Sequence, residues 1–150
     1  MSEQRDLYQS VILDHSKKPR NFGALENANR TSAGHNPLCG DEIRLYLDVE
    51  DDVVKDIRFE GSGCAISTAS ASLMTQAVKN QPLREVMRLF DGFHELVTEG
   101  SSAEVDADGL GKLAVFAGVR AFPMRVKCAT LAWHTLKNAI EASDETARTE

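Results

Sequence analysis

The apolar residues of the chain follow two spacings, one typical of helices and one typical of β-strands. Over residues 4–15 the apolar side chains recur at helical spacing, and Pro19 follows shortly after, so a first short amphipathic helix is predicted there. Apolar and polar residues then alternate from Ile43 to Val49, and a second run over residues 53–60 returns after an acidic turn. This pattern predicts an antiparallel hairpin with one buried face.

The rest of the chain favours helices. We expect them from Cys64 to about Asn80, from Pro82 through Phe90, near Leu110 to Val119, and over residues 125–141. The last of these would carry Cys128 in its first turn. From Gly92 to Gly109 the periodicity weakens and acidic residues accumulate, so no element is assigned there.

These elements indicate an α+β fold, with a small antiparallel sheet of about three strands and helices packed on one of its faces. A chain of 150 residues is long enough to bury one core, so a single domain spanning residues 1–150 is expected. The polar residues 141–150 are expected to form a frayed tail.

Composition excludes some classes of protein. The formal net charge is −6, which argues against a general binder of nucleic acid or of anionic membranes. No apolar run is long enough for a signal peptide or a membrane span. With 3 cysteines and no export signal, a cytoplasmic protein is expected, because the reducing cytosol keeps thiols free.

Each cysteine lies in a compact motif of its own. The motifs are Asn36-Pro37-Leu38-Cys39-Gly40-Asp41, Gly61-Ser62-Gly63-Cys64-Ala65 and Arg125-Val126-Lys127-Cys128-Ala129. Three thiolates and the carboxylate of Asp41 would satisfy a tetrahedral metal ion, and both zinc and iron accept such ligands. Cys64 and Cys128 lie near predicted helix starts, where the helix dipole favours a thiolate.

These residue types also allow simpler interpretations. The cysteines could be small buried apolar residues, and Asp41 could cap a turn. The spacing lacks the paired CxxC of structural zinc modules. Among the histidines, His35 could approach Cys39, although a polar role at a strand edge is favoured. His134 lies round the helix from Cys128 and is excluded as a ligand, and His15 is expected to pack on an apolar helical face.

Taken together, the motifs resemble the IscU/NifU-N-terminal family of iron–sulfur cluster assembly proteins. The resemblance runs from about Tyr8, through Asp14-His15 and Pro19-Arg20-Asn21-Phe22-Gly23, to about Trp133. Two features are similar to the SufU branch of that family. Lys127 replaces the histidine that precedes the third cysteine in the scaffold branch, and the segment between the second and third cysteines is longer, with the extra residues expected within Phe93–Leu113.

The resemblance implies a zinc-dependent sulfurtransferase that accepts sulfur from a SufS-like cysteine desulfurase and passes it toward a downstream iron–sulfur assembly scaffold. The zinc ligands would be Cys39, Asp41, Cys64 and Cys128. Cys39 would carry the persulfide and Arg125 would contact the desulfurase. In that chemistry, a histidine of the partner can replace one zinc ligand and free a cysteine.

Two alternatives remain open from the sequence. The chain could be a scaffold on which a [2Fe–2S] cluster is assembled and transferred, although Lys127 puts a stable cluster in question. It could instead be a purely structural zinc domain, which Asp41 disfavours because a carboxylate exchanges more readily than a thiolate.

Overall fold

A computed structural model describes residues 2–98, 110–141 and 147–148 of the chain. The helices are α1 (Ser2–Lys17), α2 (Ala65–Val78), α3 (Leu83–Thr98), a 3₁₀ helix (Gly111–Ala121) and α4 (Pro123–Ile140). The strands are β1 (Arg30–Asn36), β2 (Asp41–Glu50), β3 (Val53–Ser62) and β4 (Ala147–Arg148). No helix within these ranges is both long and apolar enough to cross a membrane.

The sheet has the strand order β3-β2-β1-β4. The predicted hairpin is β2–β3, and β1 adds a third antiparallel strand, whereas the short β4 lies parallel to β1. The predicted α+β class with three antiparallel strands is therefore confirmed. Strand β1 itself was not predicted, because its sequence RTSAGHN has no apolar alternation and its backbone is held by pairing with β2.

The core lies between one face of this sheet and the helices. Leu45, Leu47 and Ile57 project from β2 and β3 into it and are fully buried, whereas Arg44 and Arg58 on the opposite face are exposed. Helices α2 and α4 cover the buried face, as expected from the sequence. Removing this much apolar surface from water supplies the main stabilisation of the fold.

Small residues allow α2 to lie close to its neighbours. Ser70 Oγ donates to the carbonyl of Ala129 in α4 at 2.6 Å. Ser72 Oγ lies 2.7 Å from His15 Nδ1 of α1 and accepts from the backbone N–H of Arg20 at 2.9 Å. His15 is 3% exposed, so it is a packed histidine with a hydrogen-bond partner, as the sequence indicated.

Three sequence predictions about helices need correction. Helix α3 continues past Gly92 to Thr98, because Phe93, Leu96 and Val97 extend its buried face. The segment near Leu110–Val119 is a 3₁₀ helix. Helix α4 begins at Pro123, two residues earlier than expected, which places Cys128 in the second turn instead of the first.

Two further expectations concern segments that the structure covers only in part. Residues 99–109, within the proposed insertion, lie outside the described residues. In the C-terminal segment, Ala147–Arg148 pair with Gly34 and His35 of β1, whereas 142–146 and 149–150 lie outside the described residues. The frayed tail therefore stays a prediction.

Candidate metal centre

Four elements bring the three cysteines and Asp41 together at one end of the sheet. Cys39 lies in the turn between β1 and β2, Asp41 begins β2, Cys64 precedes α2 and Cys128 lies in α4. Cys39 Sγ lies 3.5 Å from Cys128 Sγ. The ligand atoms of Cys39, Asp41 and Cys128 all lie within 4.8 Å of one another, close enough to share one ion.

The β1–β2 turn presents Cys39 through contacts with Asn36. The backbone N–H of Cys39 donates to the carbonyl of Asn36 at 3.2 Å, and the backbone N–H of Leu38 donates to Asn36 Oδ1, also at 3.2 Å. Gly40 has a φ of +72°, a conformation that other residues seldom adopt. The turn therefore bends sharply enough for Cys39 and Asp41, on either side of Gly40, to face the same point.

Asp41 is fully buried, and its carboxylate is held by the segment that precedes α2. Its Oδ1 accepts from the backbone N–H of Cys64 at 2.8 Å. A Cβ atom at Gly63 would lie 2.5 Å from Asp41 Oδ1, far closer than packing allows. Glycine at this position therefore leaves the space that the carboxylate occupies.

Cys64 is the N-cap residue of α2. Its Sγ accepts from the backbone N–H of Ser67 at 3.4 Å and lies 4.0 Å from Asp41 Oδ2. A helix N-terminus stabilises negative charge, so this position suits a thiolate. The sulfur lies beside the tight group of Cys39, Asp41 and Cys128 and borders it on the α2 side.

Cys128 is the buried member of the group. Burial raises the pKa of its thiol far above the usual range, since a thiolate there would lose its hydration. The neighbouring Asp41, Cys64 and Cys39 raise that pKa further. Asn36 Nδ2 donates toward Cys128 Sγ at 3.9 Å. A divalent cation at this position would stabilise the thiolate of Cys128, and thiolate with carboxylate is a donor set that zinc accepts.

The three cysteine residues differ in their exposure to solvent. Cys39 is exposed, Cys64 is half-buried and Cys128 is buried. All three line a groove of about 930 Å³ between α1, the 3₁₀ helix and α4. Its rim is apolar and exposed, with Leu13 at 51%, Phe122 at 49% and Met124 at 43%.

Two cationic residues accompany Cys128 on α4. Arg125 lines the groove, and its guanidinium lies over the ring of Phe122, 4.4 Å from the centroid. Lys127, which directly precedes Cys128, is half-buried. The position expected to distinguish this chain from the scaffold branch therefore directly precedes the buried cysteine in α4.

No histidine belongs to the ligand group in the described ranges. His35 lies in β1 opposite Glu42 of β2. His134 packs against Phe90 and His94, with ring centroids 5.6 and 5.9 Å away, and burial lowers its pKa. The exclusion of His134 as a ligand agrees with this arrangement.

Sequence reasoning missed Asn36, which contacts both the turn of Cys39 and the sulfur of Cys128. Its place before Pro37 is a signal for a turn, since asparagine side chains accept hydrogen bonds from the backbone two residues on. The contact with Cys128 has no local signal, because it joins residues 92 positions apart.

Comparison with known proteins assigns this geometry to a family. The family model described as "NifU-like N terminal domain" matches residues 7–129. An iron–sulfur cluster assembly scaffold protein IscU from Streptococcus pyogenes is 43% identical over 95% of this chain and 88% of its own length. A zinc-dependent sulfurtransferase SufU from Bacillus subtilis is 42% identical over 89% of each chain.

A solved structure agrees with these matches. It is that of a candidate iron–sulfur cluster assembly scaffold protein for the SUF system from Fervidobacterium islandicum, with a TM-score of 0.81 and 37% identity over 87% of this chain and 93% of the other. The fold is therefore shared with this structure.

Proposed function

The chain belongs to the family of NifU-like N-terminal domains, and we propose that it is a zinc-binding iron–sulfur cluster biogenesis protein that accepts persulfide sulfur from a cysteine desulfurase. Its place would be the cytoplasm, and the sulfur would pass to a downstream iron–sulfur assembly scaffold. The relatives include proteins named for scaffold activity and one named for zinc-dependent sulfur transfer.

The zinc site would consist of Cys39, Asp41, Cys64 and Cys128. Support comes from the mutual distances within 4.8 Å of three of them and from the fourth, whose sulfur lies 4.0 Å from Asp41. When bound, zinc would keep the thiols deprotonated at neutral pH and reduce their unwanted reactions. Asp41 supplies a ligand whose orientation is supported by the hydrogen bond from the backbone N–H of Cys64.

One observation carries the assignment of the sulfur acceptor: Cys39 is the exposed cysteine of the three. A thiolate that accepts sulfur from a second protein must reach the outer sulfur of that protein's persulfide. Cys128 is buried and Cys64 is engaged by the first turn of α2, so neither has the same access. The turn Asn36–Asp41 presents Cys39 to the groove.

The transfer itself is thiol–disulfide exchange with balanced electrons. The thiolate of Cys39 attacks the outer sulfur of the donor's cysteine persulfide, and a new S–S bond forms on Cys39. The S–S bond of the donor breaks, and its cysteine leaves as a thiolate. One sulfur atom moves, with no net oxidation or reduction of the pair.

The groove provides the surface for the desulfurase. Leu13, Phe122 and Met124 form an exposed apolar rim next to the thiols, and such exposed patches mark interaction sites. Arg125 adds a cation whose position is supported by stacking on Phe122. We infer that Arg125 contacts an acidic or carbonyl group of the partner when Cys39 meets the persulfide.

A second function has independent support. The Streptococcus relative is named as a scaffold, and thiolates with a carboxylate also bind iron. On this alternative, a [2Fe–2S] cluster would be assembled here and then transferred. Lys127 before Cys128 argues against it, because a lysine ammonium cannot replace an imidazole as a ligand.

The test is the rate of alanine production by the cognate desulfurase, with and without the zinc-loaded protein. We expect stimulation that Cys39→Ala abolishes, and a persulfide on Cys39 in the mass spectrum of the wild type. Arg125→Ala should raise the concentration needed for half-maximal stimulation about tenfold, whereas Arg44→Ala, at an exposed arginine on the other face of the sheet, should not.

Two results would redirect the assignment. A persulfide on Cys64 or Cys128 of the Cys39→Ala protein would refute Cys39 as the acceptor. Absence of stimulation, together with cluster formation on addition of ferrous iron and sulfide, would favour the scaffold.

A further inference from the structure

We propose that Asn36 is a positioning residue of the metal centre, because its side chain joins the turn of Cys39 to the sulfur of Cys128. The proposal rests on the proposed zinc site and adds to it a residue outside the ligand set. Asn36 ends β1 and is fully buried. It lies opposite Asp41 in the β1–β2 register.

One end of the carboxamide organises the turn. Asn36 Oδ1 accepts from the backbone N–H of Leu38 at 3.2 Å. In addition, the backbone carbonyl of Asn36 accepts from the backbone N–H of Cys39 at 3.2 Å. These two bonds set the direction in which the chain leaves β1. They therefore determine where Cys39 lies relative to Asp41.

The other end of the carboxamide faces Cys128. Asn36 Nδ2 donates toward Cys128 Sγ at 3.9 Å, and both residues are buried. An N–H donor stabilises the negative charge of a thiolate in a site where little water is present. Groups that hydrogen-bond metal ligands in this way orient them and tune their affinity for the ion.

Through these contacts one residue connects two candidate ligands from different parts of the chain: its side chain reaches the sulfur of Cys128 and the N–H of Leu38, and its backbone carbonyl accepts from the N–H of Cys39. Cys39 is held by a turn and Cys128 by a helix, and Asn36 connects the two. A change in the side chain of Asn36 should therefore alter the separation of the ligands and the charge on the Cys128 sulfur, while leaving the core intact.

Two substitutions separate the donor role from the turn. Asn36→Asp retains an acceptor for the N–H of Leu38 but loses the donor to Cys128 and places a negative charge there. Asn36→Ser also retains an acceptor for the turn, is uncharged and is too short to reach the sulfur. If Asn36 only shaped the turn, both variants would bind metal like the wild type.

The chain offers a matched control at the other end of β1. Asn29 Oδ1 accepts from the backbone N–H of Val49 at 2.9 Å, and its Nδ2 donates to the carbonyl of Val49 at 2.8 Å. Asn29→Asp thus also keeps an acceptor and loses a donor, in an exposed position away from the cysteines. This variant shows how much an Asn→Asp substitution alone changes zinc affinity.

The experiment measures zinc affinity by competition with a chromophoric chelator, and the sulfur-to-cobalt charge-transfer bands of the Co²⁺-loaded proteins. We expect the zinc dissociation constants of Asn36→Asp and Asn36→Ser to rise at least tenfold, with Asn29→Asp within twofold of the wild type. The charge-transfer bands should move to longer wavelength in Asn36→Ser, because a thiolate that accepts fewer hydrogen bonds is a better electron donor.

Each contrary result has a defined meaning. Wild-type affinity and spectra in both Asn36 variants would overturn the positioning role, as would an equal loss in Asn29→Asp. If both Asn36 variants failed to fold even with zinc, Asn36 would support the fold and the proposal would be wrong. Failure of the wild type to bind zinc would instead refute the proposed metal site.

Discussion

Cys39 Sγ lies 3.5 Å from Cys128 Sγ, although 89 positions separate the two residues along the chain. One sulfur is exposed in a turn and the other is buried in a helix. This separation suits two ligands of one ion, and it is longer than a covalent S–S bond of about 2.05 Å. The two thiols are therefore placed to form a disulfide when metal is removed.

We predict that the zinc-free protein forms a disulfide between Cys39 and Cys128 when treated with hydrogen peroxide. The two thiols are oxidised and the peroxide is reduced to water. Peptide mapping by mass spectrometry without reduction identifies the bridge. Zinc loading should slow the formation of this disulfide at least tenfold.

Cysteine substitutions provide the controls for this oxidation. Cys64→Ser should still form the bridge, and Cys128→Ser should not. A dominant Cys39–Cys64 bridge in the wild type would contradict the geometry.

Asp41 has two roles that substitution can separate. Asp41→Asn should keep an acceptor for the backbone N–H of Cys64 and thus the fold, while its lost charge lowers zinc affinity tenfold or more. Asp41→Ala leaves that N–H without a partner, which should cost about 1–3 kcal/mol of the free energy of unfolding in addition. Chelator competition and urea denaturation of the zinc-free proteins measure the two effects. Equal unfolding free energies for the two variants would show that the hydrogen bond is unimportant.

Gly63→Ala should weaken metal binding by displacing the carboxylate of Asp41. Its new Cβ would lie 2.5 Å from Asp41 Oδ1, so Asp41 has to move. We expect at least a tenfold loss of zinc affinity with little change in the circular dichroism spectrum.

Gly118→Ala is the matched control for Gly63→Ala. Gly118 lines the same groove, and a Cβ there meets nothing within 4 Å. Zinc affinity within twofold of the wild type is expected for Gly118→Ala, and an equal loss in both variants would contradict the steric explanation.

His15 should make stability depend on pH. Burial lowers its pKa in the folded protein, and the nearby Arg20 lowers it further. The unfolded chain therefore takes up a proton first as the pH falls below about 6.5, so this contribution is fully present above that pH and is lost as the pH decreases toward the folded pKa. Protonation of this one histidine lowers the free energy of unfolding by at most ~1.4 kcal/mol per pH unit.

Urea denaturation of the zinc-free protein at pH 7 and pH 5 checks this dependence. Wild type should lose more stability than His15→Gln, which cannot take up the proton. His134 shifts in the same direction but is present in both proteins, so its effect cancels. Parallel losses would mean that His15 is not the responsible group.

Local patterns were sufficient for much of the fold. The alternation from Ile43 to Val49 predicted β2, and the return over residues 53–60 predicted β3. A segment rich in small residues after Gly63 predicted α2, and helical spacing predicted the start of α3. The sequence predicted no helix beyond Gly92 because the periodicity weakens and acidic residues accumulate from there to Gly109, whereas the buried side chains of Phe93 and Leu96 continue the apolar face of α3.

The ligand candidates also came from the chain itself, since three cysteine motifs and Asp41 are visible without any structure. Their number and chemistry follow from the residue types. Their grouping does not, because it requires the β1–β2 turn, the N-terminus of α2 and the second turn of α4 to meet.

By itself, the sequence determined which residues can bind a metal and which short segments form helices or strands, because both depend on side-chain chemistry and local periodicity. Tertiary structure alone decided that β1 exists, that Asn36 reaches Cys128 and that Cys39 is the exposed sulfur. Those features depend on backbone pairing and burial between residues far apart in the chain, and such contacts have no signal in the local pattern.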